Sequence, residues 1–267
     1  MSHPRKLLEA LGANALKSFS QNFLTSPHWA ERLTGEVLSF PAKAVWEIGP
    51  GLGALTDLLV KKSPVPVTVY EIDRKFSERL RTSYPSVTVV EGDFLKTSPD
   101  QIPQALCPIA ILSNLPYHVS SAILFRIVDW GTNVSGAVLT FQKEFAQRVK
   151  ANVGDDSYAG LSVSVQYHFE IESLGVLPKG AFYPEPSVDS EALKFTPRQV
   201  SLEEAARFRG LVRLAFTRPR RKLGSNLREG YSPERLTSAY DKSSIDPNRR
   251  PETLSVAEFK SLFSALQ

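Results

Sequence analysis

The sequence predicts an α/β protein: a parallel sheet with helices on both faces, followed by a helical C-terminal part. Three observations lead there. Between residues 44 and 151, short apolar runs alternate with helix-length stretches, the pattern of strand–helix repeats that build a parallel sheet. The first run, Val45-Trp46-Glu47-Ile48, stops at the glycine turn Gly49-Pro50-Gly51-Leu52-Gly53. Beyond Pro197-Arg198 the strand-like runs cease and the pattern is helical, which places a predicted domain boundary between 1–197 and 198–267.

In chain order, Met1 to Leu16 is polar and helix-prone and lacks the apolar core of a signal peptide. Lys17-Ser18-Phe19-Ser20-Gln21-Asn22-Phe23-Leu24 is rich in phenylalanine. It reads equally as a staple that packs the N-terminal arm down and as a flap over a bound ligand. A helix is predicted over Pro27–Phe40. Strands are predicted over Ala44–Ile48, Val67–Ile72, Val87–Glu91, Ile109–Ser113 and Gly136–Phe141, with helices over Ala54–Lys62, Arg74–Ser83, Val119–Trp130 and Gln142–Ala151. The β-branched and aromatic run Leu161–Ile171 and the shorter Ala192–Thr196 predict two late strands, paired antiparallel at the sheet edge. The proline-stiffened loop Phe182–Ser190 joins them. Helices are predicted over Leu202–Phe216, Leu223–Arg228, Pro233–Tyr240 and Val256–Leu266.

Ligands of parallel α/β sheets sit beyond the carboxyl ends of the strands. Four informative groups fall there: Gly49–Gly53, Glu71, Asp93 and Asn114–Tyr117. Glycines 49, 51 and 53 allow a tight turn with no side chain between backbone and ligand. Glu71, about twenty residues on, can accept hydrogen bonds from ribose hydroxyls. Together they indicate an adenosine-type cofactor. The spacing Glu47-x-Gly49-x-Gly51-x-Gly53 departs from the dinucleotide pattern, and the acids Glu47 and Asp93 suit a positively charged ligand better than a diphosphate. S-adenosylmethionine, with its sulfonium and amino group, fits.

Asn114-Leu115-Pro116-Tyr117 suggests the acceptor. The lone pair of an exocyclic amine on adenine or cytosine is delocalised into the ring. The Asn114 side-chain oxygen and the Leu115 carbonyl could hold its two N–H bonds and turn that lone pair out of conjugation. Pro116 stiffens the turn, and Tyr117 offers a face for stacking, worth roughly 1–3 kcal/mol per base. Phe182-Tyr183-Pro184 reads either as the second wall of a base pocket or as a core aromatic at a strand edge. Gln142-Lys143-Glu144 reads as a helix start, and His118 and Cys107 as structural.

Composition bounds the rest. One cysteine among 267 residues excludes an intramolecular disulfide framework and fits a reducing cytosol. Four scattered histidines give no zinc signature, so no metal is expected. No run is long enough to span a bilayer. The net charge is +4, yet the excess gathers after residue 197. The cluster Arg218-Pro219-Arg220-Arg221-Lys222 is dense enough to predict a nucleic-acid surface.

With these residues assembled, the chain resembles the KsgA-type ribosomal RNA adenine dimethyltransferases over nearly its whole length. The marks are Phe19–Leu24, Glu47–Gly53, Glu71-Ile72-Asp73, Gly92-Asp93, Asn114–Tyr117, Gln142-Lys143-Glu144, Phe182–Ser190 and Arg220-Arg221-Lys222. The resemblance implies a Rossmann-like class I methyltransferase domain with a small helical C-terminal domain. It also implies dimethylation of two adjacent adenosines in the 3′-terminal hairpin of small-subunit rRNA, from S-adenosylmethionine, by a cytoplasmic monomer acting in ribosome biogenesis. Carried over, Asn22 and Leu24 would reach the cofactor from the flap, and Gly49 and its turn would cradle the methionine part. Glu71 would bind the ribose and Asp93 the adenine. Asn114, Leu115 and Tyr117 would hold the target adenine, with Phe182 stacking from the other side.

Ser20 stands where that family commonly has glycine. Serine there looks more like the related Erm-type enzymes of large-subunit rRNA, the alternative target, whereas Val188-Asp189-Ser190 and Leu115 favour the first family. A nicotinamide-linked oxidoreductase and a non-catalytic rRNA-binding assembly factor are the readings from other classes.

Overall fold

The computed structural model describes residues 4–10, 22–98, 101–116 and 119–267. Strands β2 (Ala44–Ile48), β3 (Val67–Glu71), β4 (Thr88–Glu91), β5 (Ile109–Asn114) and β6 (Val134–Gln142) are joined by helices α3 (Ala54–Lys62), α4 (Arg74–Ser83) and, before β6, α5 (Ser120–Val128). After α6 (Lys143–Lys150) and α7 (Gly160–His168) come β7 (Phe169–Leu177), the two-residue β8 (Phe182–Tyr183) and β9 (Ser190–Pro197). The main sheet runs β4-β3-β2-β5-β6-β9-β7. The pairs from β4 to β6 are parallel, and β9 lies antiparallel to β6, with Ala137 opposite Phe195 and Gln142 opposite Ser190.

Every residue of β2 and β3 is buried, as strands covered on both faces must be. Alternation splits β2 between two apolar layers. Val45 joins Leu33 and Val37 of α2 (Pro27–Leu38), Leu55 and Leu59 of α3, and Leu80 of α4. Trp46 points the other way, into an aromatic group with its ring centroid 4.8 Å from Tyr70 and 5.4 Å from Trp130. Phe94 closes that group, 4.9 Å from Trp130. Local signals set the helix starts. Ser26 caps α2 by accepting from the Trp29 amide, and Asp73 caps α4 by accepting from Lys75 and Phe76.

One predicted strand is a helix. The sequence predicts strand over Leu161–Ile171, whereas the chain is helical over Gly160–His168 and extended only from Phe169. Ser162 anchors the start: its hydroxyl accepts from the Ala159 amide at 3.1 Å and donates to the Arg148 carbonyl. Ser162, Val163, Ser164, Val165, Tyr167 and His168 are all buried. A helix enclosed on nearly every side shows no polar face, so its composition imitates a strand. The late strands do flank one another, β7 forming the sheet edge beside β9.

The chain divides into two compact units. One comprises residues up to Ala146 together with Ile171–Pro197. The other comprises Gln147–Glu170 and Arg198–Gln267, so α7 belongs with the C-terminal helices rather than with the sheet. Those helices are α8 (Leu202–Ala215), α9 (Leu223–Leu227), α10 (Pro233–Ser243) and α11 (Val256–Ala265). Their core gathers Val163 and Tyr167 of α7 with Phe208, Leu211, Phe259 and Phe263. The Tyr167 and Phe208 rings stack at 3.5 Å, which explains why α7 leaves the sheet. No described helix is long and apolar enough to cross a membrane.

Candidate active site

A cavity of about 510 Å3 opens at the carboxyl edge of the parallel strands. Its floor is the turn after β2. Gly49, Gly51 and Gly53 have φ of 66°, 54° and 84°, the left-handed region that glycine enters without strain. A Cβ on Gly51 would stand 3.0 Å from the Phe23 ring, and one on Gly49 would lie 3.9 Å from Cδ of Pro116. The glycine turn therefore abuts both the segment of Asn22–Leu24 and the turn after β5. Ser113 ties the last pair further: its hydroxyl donates to the Ile48 carbonyl at 2.5 Å.

The acids converge beneath this turn. Glu71 accepts from the Gly51 amide at 3.0 Å and the Asp73 amide at 2.9 Å, so it shapes the turn while facing the cavity. Burial pushes its carboxyl up, partly offset by the amides of Asp73 and Gly51. Glu47 is fully buried and its carboxyl is pushed up to about 8. Desolvation is the main cause. The Thr56 hydroxyl, donating at 2.6 Å, opposes it, and the charge of Glu71 adds to it. Asp93 caps the short turn after β4 by accepting from the Leu95 amide at 2.9 Å, and lines the same cavity.

At the end of β5, Asn114 Nδ2 donates to the Asn22 carbonyl at 3.0 Å. An amide whose nitrogen is so engaged presents its oxygen as the remaining acceptor. Leu115 is buried, and the Pro116 carbonyl accepts from the Val119 amide, closing the turn. Asn22, Leu24, Glu47, Gly49, Gly51, Gly53, Glu71, Asp93, Asn114, Leu115 and Pro116 all line the one cavity. Tyr117 and His118 lie outside the described residues, as does Phe19-Ser20-Gln21.

Phe182 does not line the cavity. It is 3 % exposed, within the apolar layer that contains Leu24 and Leu177. The reason is strand alternation. In the antiparallel pair of β1 (Phe23–Leu24) with β8, Leu24 faces Phe182 and Phe23 faces Tyr183. Phe182 turns into the core, while Tyr183 packs with Phe23, Leu52 and Phe76. The Phe182–Tyr183 strand thus pins the Asn22–Leu24 segment. Thr25 reinforces it, its amide and hydroxyl both donating to the Ala181 carbonyl, at 2.8 and 2.9 Å.

The cavity also holds residues that sequence reasoning passed over. Ile72, expected only as a strand end, is 59 % exposed and lines the cavity beside Glu71. Nothing in the sequence sets it apart from the other apolar residues at strand ends; its exposure does. Pro4 and Leu7 of α1 (Pro4–Ala10) line it too, with Leu8 buried against Phe23 and Leu52. The apolar pair Leu7-Leu8 was the hint.

On the helical unit, Arg218 pairs with Glu229 at 2.9 Å and Lys222 donates to Asn248 at 2.9 Å. Arg220 and Arg221 are exposed, and no ion pair engages either among the described residues. Asn226, fully buried, donates to the Ala215 and Arg218 carbonyls and holds this turn in shape.

Residues 12–267 match the family model described as ribosomal RNA adenine dimethylase. A ribosomal RNA small subunit methyltransferase A of Enterococcus faecalis is 34 % identical, across 100 % of this chain and 95 % of its own. One from Prosthecochloris aestuarii is 33 % identical, covering 94 % of each. Among solved structures, a dimethyladenosine transferase of Plasmodium falciparum superposes with TM-score 0.70 at 25 % identity, over 90 % of this chain and 95 % of that one. The 23S rRNA methyltransferase ErmE gives 0.69 at 28 %, over 92 % and 99 %.

Two outcomes follow from this geometry. Gly51→Ala forces a side chain into the left-handed region, at about 1–2 kcal/mol, and against Phe23; ligand affinity measured by calorimetry should fall at least tenfold while circular dichroism stays native. For Glu47, a carboxyl with its folded pKa above its unfolded value binds more protons when native. Unfolding free energy of the ligand-free protein should therefore decline as pH rises from about 4.5 to about 8; Glu47→Gln should remove part of that slope in urea titrations.

Proposed function

Because the chain belongs to the ribosomal RNA adenine dimethylase family, we propose that it dimethylates the exocyclic amines of two adjacent adenosines in the 3′-terminal hairpin of small-subunit rRNA, with S-adenosylmethionine as donor. The observation that carries this reading is the Asn114 amide. Its nitrogen is tied to Asn22, and its oxygen is left to accept in the cavity that also holds the glycine turn.

The cavity suits that donor. Three glycines leave its floor bare, and Glu47 and Glu71 are carboxyls whose charge burial disfavours, so a cationic ligand relieves their repulsion. Glu71 would hold the ribose hydroxyls, with two backbone amides already fixing its orientation. Asp93 would accept from the adenine amine, and exposed Ile72 would pack on the adenine ring. Asn22 and Leu24 would close over the methionine part.

S-adenosylmethionine supplies, when bound, an electrophilic methyl on a positively charged sulfur. Asn114 Oδ1 and the Leu115 carbonyl would accept the two N–H bonds of the target amine. That geometry withdraws its lone pair from the ring and turns it toward the glycine loop. No general base is required, because the alkylated amine is acidic enough to lose its proton. Pro116 keeps the two acceptors in register, and Tyr117 is assigned to stack on the base. Phe182 acts through the β1–β8 pair by positioning Asn22. We assign the helical unit to RNA contact through Arg218, Arg220, Arg221 and Lys222, and place the activity in a cytoplasmic monomer.

Mass-spectrometric mapping of nucleotides methylated in unmodified small subunits decides the target; modification confined to large-subunit rRNA would transfer the protein to the Erm-type reading. Asn114→Ala should lower turnover roughly 100-fold, the scale set by lost alignment, with RNA affinity kept. Replacing Arg220 and Arg221 by alanine should weaken RNA binding and reduce the slope of log K against log salt by about 2, one counterion per lost phosphate contact.

A further inference from the structure

The helical unit contains a second cavity, of about 350 Å3, among α8, α10 and the end of α11. It shares no lining residue with the first, and its volume falls within the range of ligand sites, about 300–1,000 Å3. Two arginines line it. The Arg207 guanidinium carbon sits 5.9 Å from the centre of the Phe263 ring, and that of Arg235 sits 5.7 Å from Tyr231. A guanidinium resting on a ring has one face covered and its N–H donors directed edgewise, which preorganises it for an anion. Arg235 donates through Nη2 to the Leu266 carbonyl. Arg207 meets Glu203 at 4.0 Å, between exposed side chains, a pair of little energetic weight. Leu211, Phe263 and Leu266, all buried, make an apolar floor. Gly210 and Gln267 complete the lining, and no acidic side chain is part of it among the described residues, Glu203 touching Arg207 from outside.

We propose that this cavity is a second RNA-binding site, separate from the Arg218–Lys222 turn, that seats one unpaired nucleotide of the rRNA substrate. Arg207 and Arg235 hold the phosphodiester from two helices, and the base packs over the floor beside Tyr231. Paired helical RNA does not fit, because its bases are stacked away from a pocket of this size, whereas unpaired bases can be splayed onto apolar and guanidinium surfaces. The proposal rests on the rRNA reading above.

The test is binding of the full-length protein to unmethylated small ribosomal subunits across a salt series. The Arg207→Ala, Arg235→Ala double variant should bind roughly tenfold more weakly per arginine removed. Its salt slope should drop by about 2, with S-adenosylmethionine affinity unchanged. The double lysine variant should keep the slope and recover only part of the affinity, because charge is retained and the planar fork lost. Wild-type affinity and slope in the alanine variant would overturn the proposal. So would weaker binding with an unaltered slope and a lowered thermal midpoint, which marks lost packing alone. If the wild type methylates small-subunit adenines while the variants match it, only this site is rejected; if the wild type neither binds nor methylates small subunits, the rRNA reading falls with it.

Discussion

The hydrogen bond from Asn114 Nδ2 to the Asn22 carbonyl is the constraint on which the site depends. An asparagine amide can turn over and exchange donor for acceptor at little cost. Here the exchange would set two carbonyl oxygens against each other, so the acceptor orientation is imposed. The bond is only as firm as Asn22 itself. Asn22 is held by a two-residue strand, Phe23–Leu24, which is held by Phe182–Tyr183, whose Phe182 is locked in the core. A chain of ordinary packing and backbone pairing thus ends in the orientation of one side chain.

The acids show the opposite economy. Glu47 and Glu71 stand buried near each other beneath the glycine turn, where desolvation and mutual repulsion both disfavour ionisation. A fold selected for stability alone would place an aliphatic or an amide there. Glu71 recovers part of the cost by accepting from Gly51 and Asp73, and in doing so it fixes the turn. Among the described residues, the donor to the Glu47 carboxyl is the Thr56 hydroxyl. Strain of this kind at a cavity lined by bare glycines is what a cationic ligand would relieve.

Much of this was legible in the sequence because it is local. The strands β2, β3, β5 and β6 are apolar runs that stop at a glycine, an acid or a side-chain amide, and the end of each falls within a residue of where the sequence predicts it. What stayed hidden depends on partners distant in sequence. Leu161–Ile171 has strand composition, but its residues are buried against Phe208 and Phe263, forty to a hundred positions later, and tertiary packing overrides propensity. Phe182 and Tyr183 are adjacent aromatics, and only the register with Phe23 and Leu24 decides which one turns inward. Ile72 looks like any strand residue until its exposure is seen.

Charge was the least legible property, since a sequence counts cations and a surface uses only those left unpaired. Of the basic cluster after residue 197, Arg218, Arg249 and Arg250 face Glu229, Glu258 and Glu252. Arg220 and Arg221 sit instead on a turn clamped from below by Asn226 and from the side by the Leu223 amide, which donates to the Arg249 carbonyl at 2.8 Å. A rigid turn loses less freedom when its side chains meet phosphate, so two unpaired arginines there outweigh several on a mobile segment. The same reasoning applies to Arg207 and Arg235: each lies over an aromatic ring, and the one carboxylate pair between them, Arg207 with Glu203, joins exposed side chains at 4.0 Å and leaves most of their charge available.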